Sequence, residues 1–162
     1  MMGPDLLGQL VDRHSPGLTL YARQWCAAPE DVVQEAFLKL VVQQPAPRNV
    51  VPWLYRVVRN RAISAARSEQ RRRRHETAAA AELGSWFDSP AGAALDGETA
   101  ATALNTLADQ EREIITLHLW GGLTFEEIAQ VAGCSASTAH RWYAAGLDAL
   151  RERLHVHVRN QL

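Results

Sequence analysis

Cysteine is nearly missing from this chain. Of its 162 residues only Cys26 and Cys134 carry a thiol, each inside a helical pattern and neither with a second Cys or a His at ligand spacing. That argues against a disulfide framework and against a zinc site. Long apolar runs are missing as well: the uncharged stretches are too short and too polar to span a bilayer, and the N-terminal MMGPDLLGQLVDR has no basic leader ahead of an apolar core. A cytoplasmic protein with no membrane segment is expected. The third absence is of any catalytic constellation. His14, His75, His118, His140, His155 and His157 do not group with carboxylates or cysteines as ligands or acid–base pairs, and His155 and His157, two apart, cannot share a helix face. No enzyme activity, metal or cofactor is therefore expected.

What the chain does have is charge segregated along its length. Residues 1 to 76 hold 12 Lys or Arg against 7 Asp or Glu, and residues 77 to 162 hold 5 against 11, so a formal net charge of -1 conceals halves of +5 and -6. Such asymmetry points toward nucleic acid or an acidic partner for the first half. The run Arg71 to Arg74 alone could equally be a solvated helix end.

No alternating strand pattern competes with helical periodicity anywhere, so the fold class is all-α, with two small helical domains joined by a linker. In the first, Pro16 is expected to split the segment 5 to 28 into two helices, Leu6 to Arg13 and about Gly17 to Cys26. Pro29 opens the next helix, with Glu30 and Asp31 at its positive end. Its buried stripe is predicted to be Val32, Ala36, Phe37, Leu40 and Val41, leaving Gln34, Glu35 and Lys39 outside. After the proline-marked loop 43 to 50, Pro52 restarts the chain as a long helix to about His75. Trp53, Leu54, Val57, Val58 and Ala65 form one packing face of that helix. A separate stripe holds Arg56, Arg59, Ile63 and Arg67, with Asn60 at its edge, and stacked guanidinium groups repel unless solvent or an anion offsets the cost.

Residues 76 to 103 are rich in Ala, Gly, Ser and acidic side chains, with little apolar periodicity beyond Leu83, Trp86, Phe87 and Leu95, and read as a flexible acidic linker. The domains are then 1 to 75 and 104 to 162. In the second, Leu104 and Leu107 lead into a helix from about Asp109 to Trp120, closed by Gly121 and Gly122. Thr124 and Glu127 form a predicted capping box, and Phe125, Ile128, Ala129 and Ala132 make the apolar face of a short helix. Gly133 supplies the positive φ that ends it, and Ser135 caps another helix after about three residues. This is the punctuation of a helix-turn-helix. Ala139, Tyr143, Gly146, Leu147, Leu150 and Leu154 should face inward. Ser137, Thr138, Arg141, Ala144, Ala145 and Asp148 line the opposite face, at whose N-terminal end a recognition helix meets base edges. Arg141 suits a guanine edge, while Ser137, Thr138 and His140 suit a base or a phosphate. A plain helical hairpin would show the same periodicity.

With both halves laid out, the chain resembles the extracytoplasmic-function group of bacterial sigma factors, the promoter-recognition subunits of RNA polymerase. PEDVVQEAFLKL resembles that family's core-polymerase-binding helix, and WLYRVVRNRAISAARSEQRRRR its promoter-melting helix. LADQEREIITLHLWGGLTFEEIAQVAGCSASTAHRWYAAGLDALRERL resembles the domain that reads the minus-thirty-five element. The resemblance implies that Asp31, Gln34 and Glu35 grip the polymerase and that Arg56, Arg59, Asn60, Arg61 and Arg67 contact the minus-ten region. It also implies that the loop from Pro45 to Asn49 lies where a flipped base is captured. Ser64 stands where many members carry Asp, and Ser137, Thr138, Ala139 and His140 replace a common Gly-Thr-Val-Lys. The implied protein is a non-catalytic sigma factor, monomeric outside the holoenzyme, with core RNA polymerase and promoter DNA as partners. Control by an anti-sigma factor or by the acidic linker is open, and the alternative function is a stand-alone helix-turn-helix transcriptional regulator.

Overall fold

In the computed structural model, residues 2–75 and 102–160 are described; the acidic linker expected at 76 to 103, with Leu83, Trp86, Phe87 and Leu95, lies almost wholly outside them. The chain runs through α1 (Pro4–Ala22), α2 (Pro29–Val42), α3 (Val50–His75), a helical turn at 102–105, α4 (Asp109–Leu119), α5 (Phe125–Ala132) and α6 (Ala136–Asn160). No strand occurs among the described residues. Among them, too, no helix is long and apolar enough to cross a membrane.

The first departure from the sequence reading is at Pro16, which sits inside an uninterrupted α1. Proline removes one donor from a helix, at a cost of about 3 kcal/mol. Here the C-terminal half of α1 buries Leu18, Tyr21 and Ala22 completely, and that packing outweighs the local break. In α2 the stripe is rotated slightly: Val33 is buried at 4% exposure, whereas Val41 is 48% exposed. In α3 the buried face is Leu54, Tyr55, Val58 and Ala62, with Trp53 and Val57 only partly covered.

The local signals of the second domain act as expected. Thr124 accepts from the Glu127 backbone N–H at 3.2 Å while the Glu127 carboxylate accepts from the Thr124 N–H at 3.1 Å. Gly133 ends α5 with φ of 73°, a conformation that costs a side chain dearly. Ser135 then accepts from the Thr138 N–H at 3.1 Å and starts α6. Ala139 and Gly146 are buried, Tyr143, Leu147 and Leu150 are partly so, and Leu154 is exposed. Leu104 and Leu107 pack with Ile115 against α6 and Ala103 is buried, so the short turn before α4 belongs to this folded body.

A second departure concerns how the domains sit. The sequence suggests separate bodies, yet one continuous apolar cluster runs from Leu18, Phe37 and Tyr55 to Ile114, Leu117, Ile128 and Ala139. Alpha-helix α5 lies along α3, and α4 lies against α1. The two helical domains are closed on each other.

Replacing Thr124 with Ala removes one half of the capping box, and the chain should lose about 1 kcal/mol of stability, read as a lower midpoint in urea, with Thr124→Ser restoring most of it.

Candidate nucleic-acid and polymerase interfaces

The arginine face of α3 is built from a helix whose apolar side is consumed by the core, which leaves the cations a single direction in which to point. Arg56, Asn60, Arg61 and Arg67 are exposed. Arg56 and Arg67 form no ion pair among the described residues. Arg61 is engaged by both oxygens of Glu35 on α2, and that hydrogen bond holds the Glu35 carboxyl below its usual range. Both partners are about half exposed, so the pair contributes little to stability. The sequence reading places the two on different interfaces, and the structure joins their edges.

Arg59 behaves differently. Its guanidinium turns away from the exposed row and donates to Glu113 Oε1 on α4 at 2.6 Å, while lying over the Trp25 ring at 5.7 Å. Tyr21 donates its hydroxyl to the same oxygen, also at 2.6 Å. The Glu113 side chain is 10% exposed and that of Arg59 is 25% exposed. One carboxylate therefore ties α1 and α3 of the first domain to α4 of the second. Gln24 adds a hydrogen bond from its amide to the Asp109 carbonyl at 3.0 Å. Gly17 lets the chains approach, since a Cβ there would sit 2.6 Å from the Tyr55 hydroxyl and 3.4 Å from the Trp120 carbonyl.

Glu113 is absent from the sequence reading. The signal that could have found it is its position, beside Ile114 and one turn before Leu117, where a carboxylate interrupts an apolar stripe. Charged residues are almost never so buried without a partner.

The loop from Pro45 to Asn49 borders a cleft of about 340 Å³ with Arg48, Trp53 and Arg56, whose far wall is Gln130 and Val131 of α5. In the closed chain this loop therefore faces the second domain.

On the helix-turn-helix, Ser137, His140 and Arg141 are exposed and Thr138 is half-buried. The Thr138 hydroxyl already accepts from Ser135 at 2.9 Å, which makes it part of the cap. His140 leans on Phe125 with ring centroids 5.0 Å apart, and Trp142 packs on the core. Arg141 is left as the exposed cation of the face. On α2, Asp31, Gln34 and Glu35 are exposed as expected. The same face continues through Leu38 at 61% and Val42 at 74% exposure, two apolar contacts the sequence reading did not single out. Large apolar groups are thus left in water beside acidic and amide groups on this face.

Burial first, then the negative Glu113 beside it, pushes the Tyr21 phenol well above its ordinary value, and burial pushes Tyr55 up too. A raised folded pKa means that these phenols contribute stability in full below the ordinary value of about 10 and lose it as pH rises through the folded values. In a Tyr143→Phe chain, phenolate absorbance should therefore stay flat through about pH 10 and appear only as the helices melt or the domains part.

Two family models match the chain: Sigma-70 region 2 over residues 10–72 and Sigma-70, region 4, over residues 98–150. Among solved structures it is similar to the sigma factor RpoE in complex with the anti-sigma factor NepR from Bartonella quintana, at 23% identity and a TM-score of 0.72. That match covers 95% of this chain and 99% of the other. It is also similar to CnrH in complex with the cytosolic domain of CnrY, at 23% identity and a TM-score of 0.59, covering 95% and 90%. No curated protein sequence matches it. The two structural likenesses speak to the fold, and the two family models together span more than two thirds of the chain: it belongs to the sigma-70 family, as a sigma factor that carries regions 2 and 4.

Proposed function

We propose a division of labour among named residues within the sigma factor's work of binding RNA polymerase and DNA to start transcription. The exposed α2 face, Asp31, Gln34 and Glu35 continued by Leu38 and Val42, docks on core polymerase. Arg56, Asn60, Arg61 and Arg67, with Arg59 once it is released, hold the minus-ten region, and the Pro45 to Asn49 loop lies beside the melted strand. Ser137, His140 and Arg141 read the minus-thirty-five element, with Thr138 acting mainly as a cap. Domain limits of 1 to 75 and 104 to 162 go with this reading, as does action in the cytoplasm. The chemistry of RNA synthesis belongs to the polymerase, whose promoter choice this chain sets.

The observation that carries the assignment is the exposed guanidinium row of α3, in a chain that also presents a capped helix-turn-helix with Arg141 outward. Phosphate contacts of this kind release counterions and hold register without reading sequence, whereas a recognition helix reads base edges. Length supports it as well. Elements about 25 base pairs apart are separated by roughly 85 Å at 3.4 Å per pair, and the 26 residues from 76 to 101 can reach about 90 Å when fully extended. A stand-alone helix-turn-helix regulator gives residues 10–72, matched by region 2, no role. An anti-sigma partner, as in the RpoE–NepR complex, is part of the proposal for this chain.

Transcription in vitro with purified core polymerase on a pool of random promoters tests the assignment. Arg56→Ala with Arg67→Ala should lower promoter opening and reduce the slope of log affinity against log salt by roughly 1.5. Stability should change by no more than about 0.5 kcal/mol, since both side chains are exposed. Unchanged opening sinks the assigned face. Arg141→Ala should cost about 1–3 kcal/mol at the upstream element alone; an equal loss on every sequence would make Arg141 a phosphate contact instead.

A further inference from the structure

We propose that Glu113 is an intramolecular stand-in for a promoter phosphate: it occupies Arg59 in the free chain, holds the two domains shut, and is displaced when polymerase and DNA pull them apart. The proposal rests on the reading of α3 as the minus-ten face and adds the device that controls access to it.

Three observations carry it. First, the only hydrogen bonds of the Glu113 carboxylate among the described residues go to Tyr21 and Arg59, both on the other domain. A carboxylate buried in an apolar stripe with all its partners across a seam does nothing for its own domain, and it is costly there unless the seam is closed. Carboxylate and phosphate present guanidinium with similar paired oxygens, so one can replace the other.

Second, the seam is incompletely satisfied. The Tyr55 hydroxyl and Gln24 Oε1 are the buried side-chain polar atoms left without a hydrogen-bond partner among the described residues. Both sit at the seam, Tyr55 against Gly17 and Gly121, and Gln24 against Asp109. A buried polar group without a partner takes something off the stability of the contact where it lies, and both of these lie where the two domains meet. On parting, Glu113 regains water and Arg59 gains a phosphate, so neither charge is stranded.

Third, the closed form cannot serve two promoter elements at once. A compact chain of 162 residues has a radius of gyration of about 15 Å, far short of the roughly 85 Å between elements about 25 base pairs apart. Closure also sets α5 across the Pro45 to Asn49 loop. The working form must therefore break the contact that Glu113 makes.

The test compares wild type, Glu113→Gln and Glu126→Gln, the last removing the same charge from an exposed position on α5. Small-angle scattering reads closure, and a single-stranded minus-ten oligonucleotide titrated into the free chain reads access to α3. Glu113→Gln should enlarge the radius of gyration and tighten oligonucleotide binding at least about tenfold, equivalent to 1.4 kcal/mol, while Glu126→Gln changes neither beyond its charge. Equal behaviour of the two variants overturns the latch. Should Glu113→Gln lose helicity, wild type decides, because linkage is reciprocal: saturating oligonucleotide must expand the free chain, and binding with an unchanged radius contradicts the proposal. Run-off transcription by wild type with core polymerase is measured alongside. An inactive wild type sinks the functional reading as a whole, whereas an active wild type with an unresponsive Glu113→Gln sinks the latch alone.

Discussion

A single carboxylate oxygen, Glu113 Oε1, accepts the Tyr21 hydroxyl and the Arg59 guanidinium at 2.6 Å each, and the closed arrangement of this chain is organised around it. Burying one charge is expensive, and burying two is tolerable only where geometry pairs them closely. Burial alone would lower the Arg59 pKa, yet the hydrogen bond and charge of Glu113 more than offset it and the value is raised. Around this point Tyr21 meets Trp25 and Tyr55 edge to face, at 4.8 and 5.3 Å. The aromatic rings cover one side of the pair, which stays partly open to water at Arg59. The constraint also sorts the arginines of α3: Arg59 is drawn into the seam, Arg61 is paired with Glu35, and Arg56 and Arg67 have no ion pair among the described residues.

How much of this was legible in the amino-acid sequence depended on how local each cause was. The α5 capping box, the left-handed Gly133 and the Ser135 cap involve residues no more than four apart, so spacing alone located the helix-turn-helix. Pro29 opened α2 for the same reason. Pro16 misled because its local penalty is real but is overridden by burial of Leu18 and Tyr21 against partners far along the chain. The choice between Val33 and Val41 turned on a small rotation of α2 that periodicity cannot resolve. The position of Glu113 in an apolar stripe is a local signal, but its partners are not legible, since they lie 54 and 92 residues away. That Asp31, Gln34, Glu35, Arg56, Asn60, Arg61, Arg67 and Arg141 of the candidate site are exposed is legible in the sequence because an amphipathic helix declares its outer face. What that face does on closing is not.

Function follows from the same segregation. Each domain spends its apolar stripes on its own core and on the seam, leaving α2 an acidic and apolar edge, α3 a cationic row and α6 a short polar tip. A sigma factor must engage polymerase and two DNA elements at once, and these surfaces differ in chemistry, those of α2 and α3 meeting only at the Glu35–Arg61 pair. Closure removes one arginine and shadows the loop beside it without burying the rest. In the closed chain Arg59 is therefore paired with Glu113 and α5 lies across the loop from Pro45 to Asn49.

The most direct measurement is the distance between the domains before and after assembly. Spin labels at Lys39 on α2 and Asp148 on α6, in a chain with Cys26 and Cys134 replaced by Ser, would report it by pulsed electron resonance. One short distance is expected in the free chain and, in the complex with core polymerase and promoter DNA, a longer one, greater by tens of ångströms as the roughly 85 Å separation of the elements requires. The same short distance in both states would contradict it.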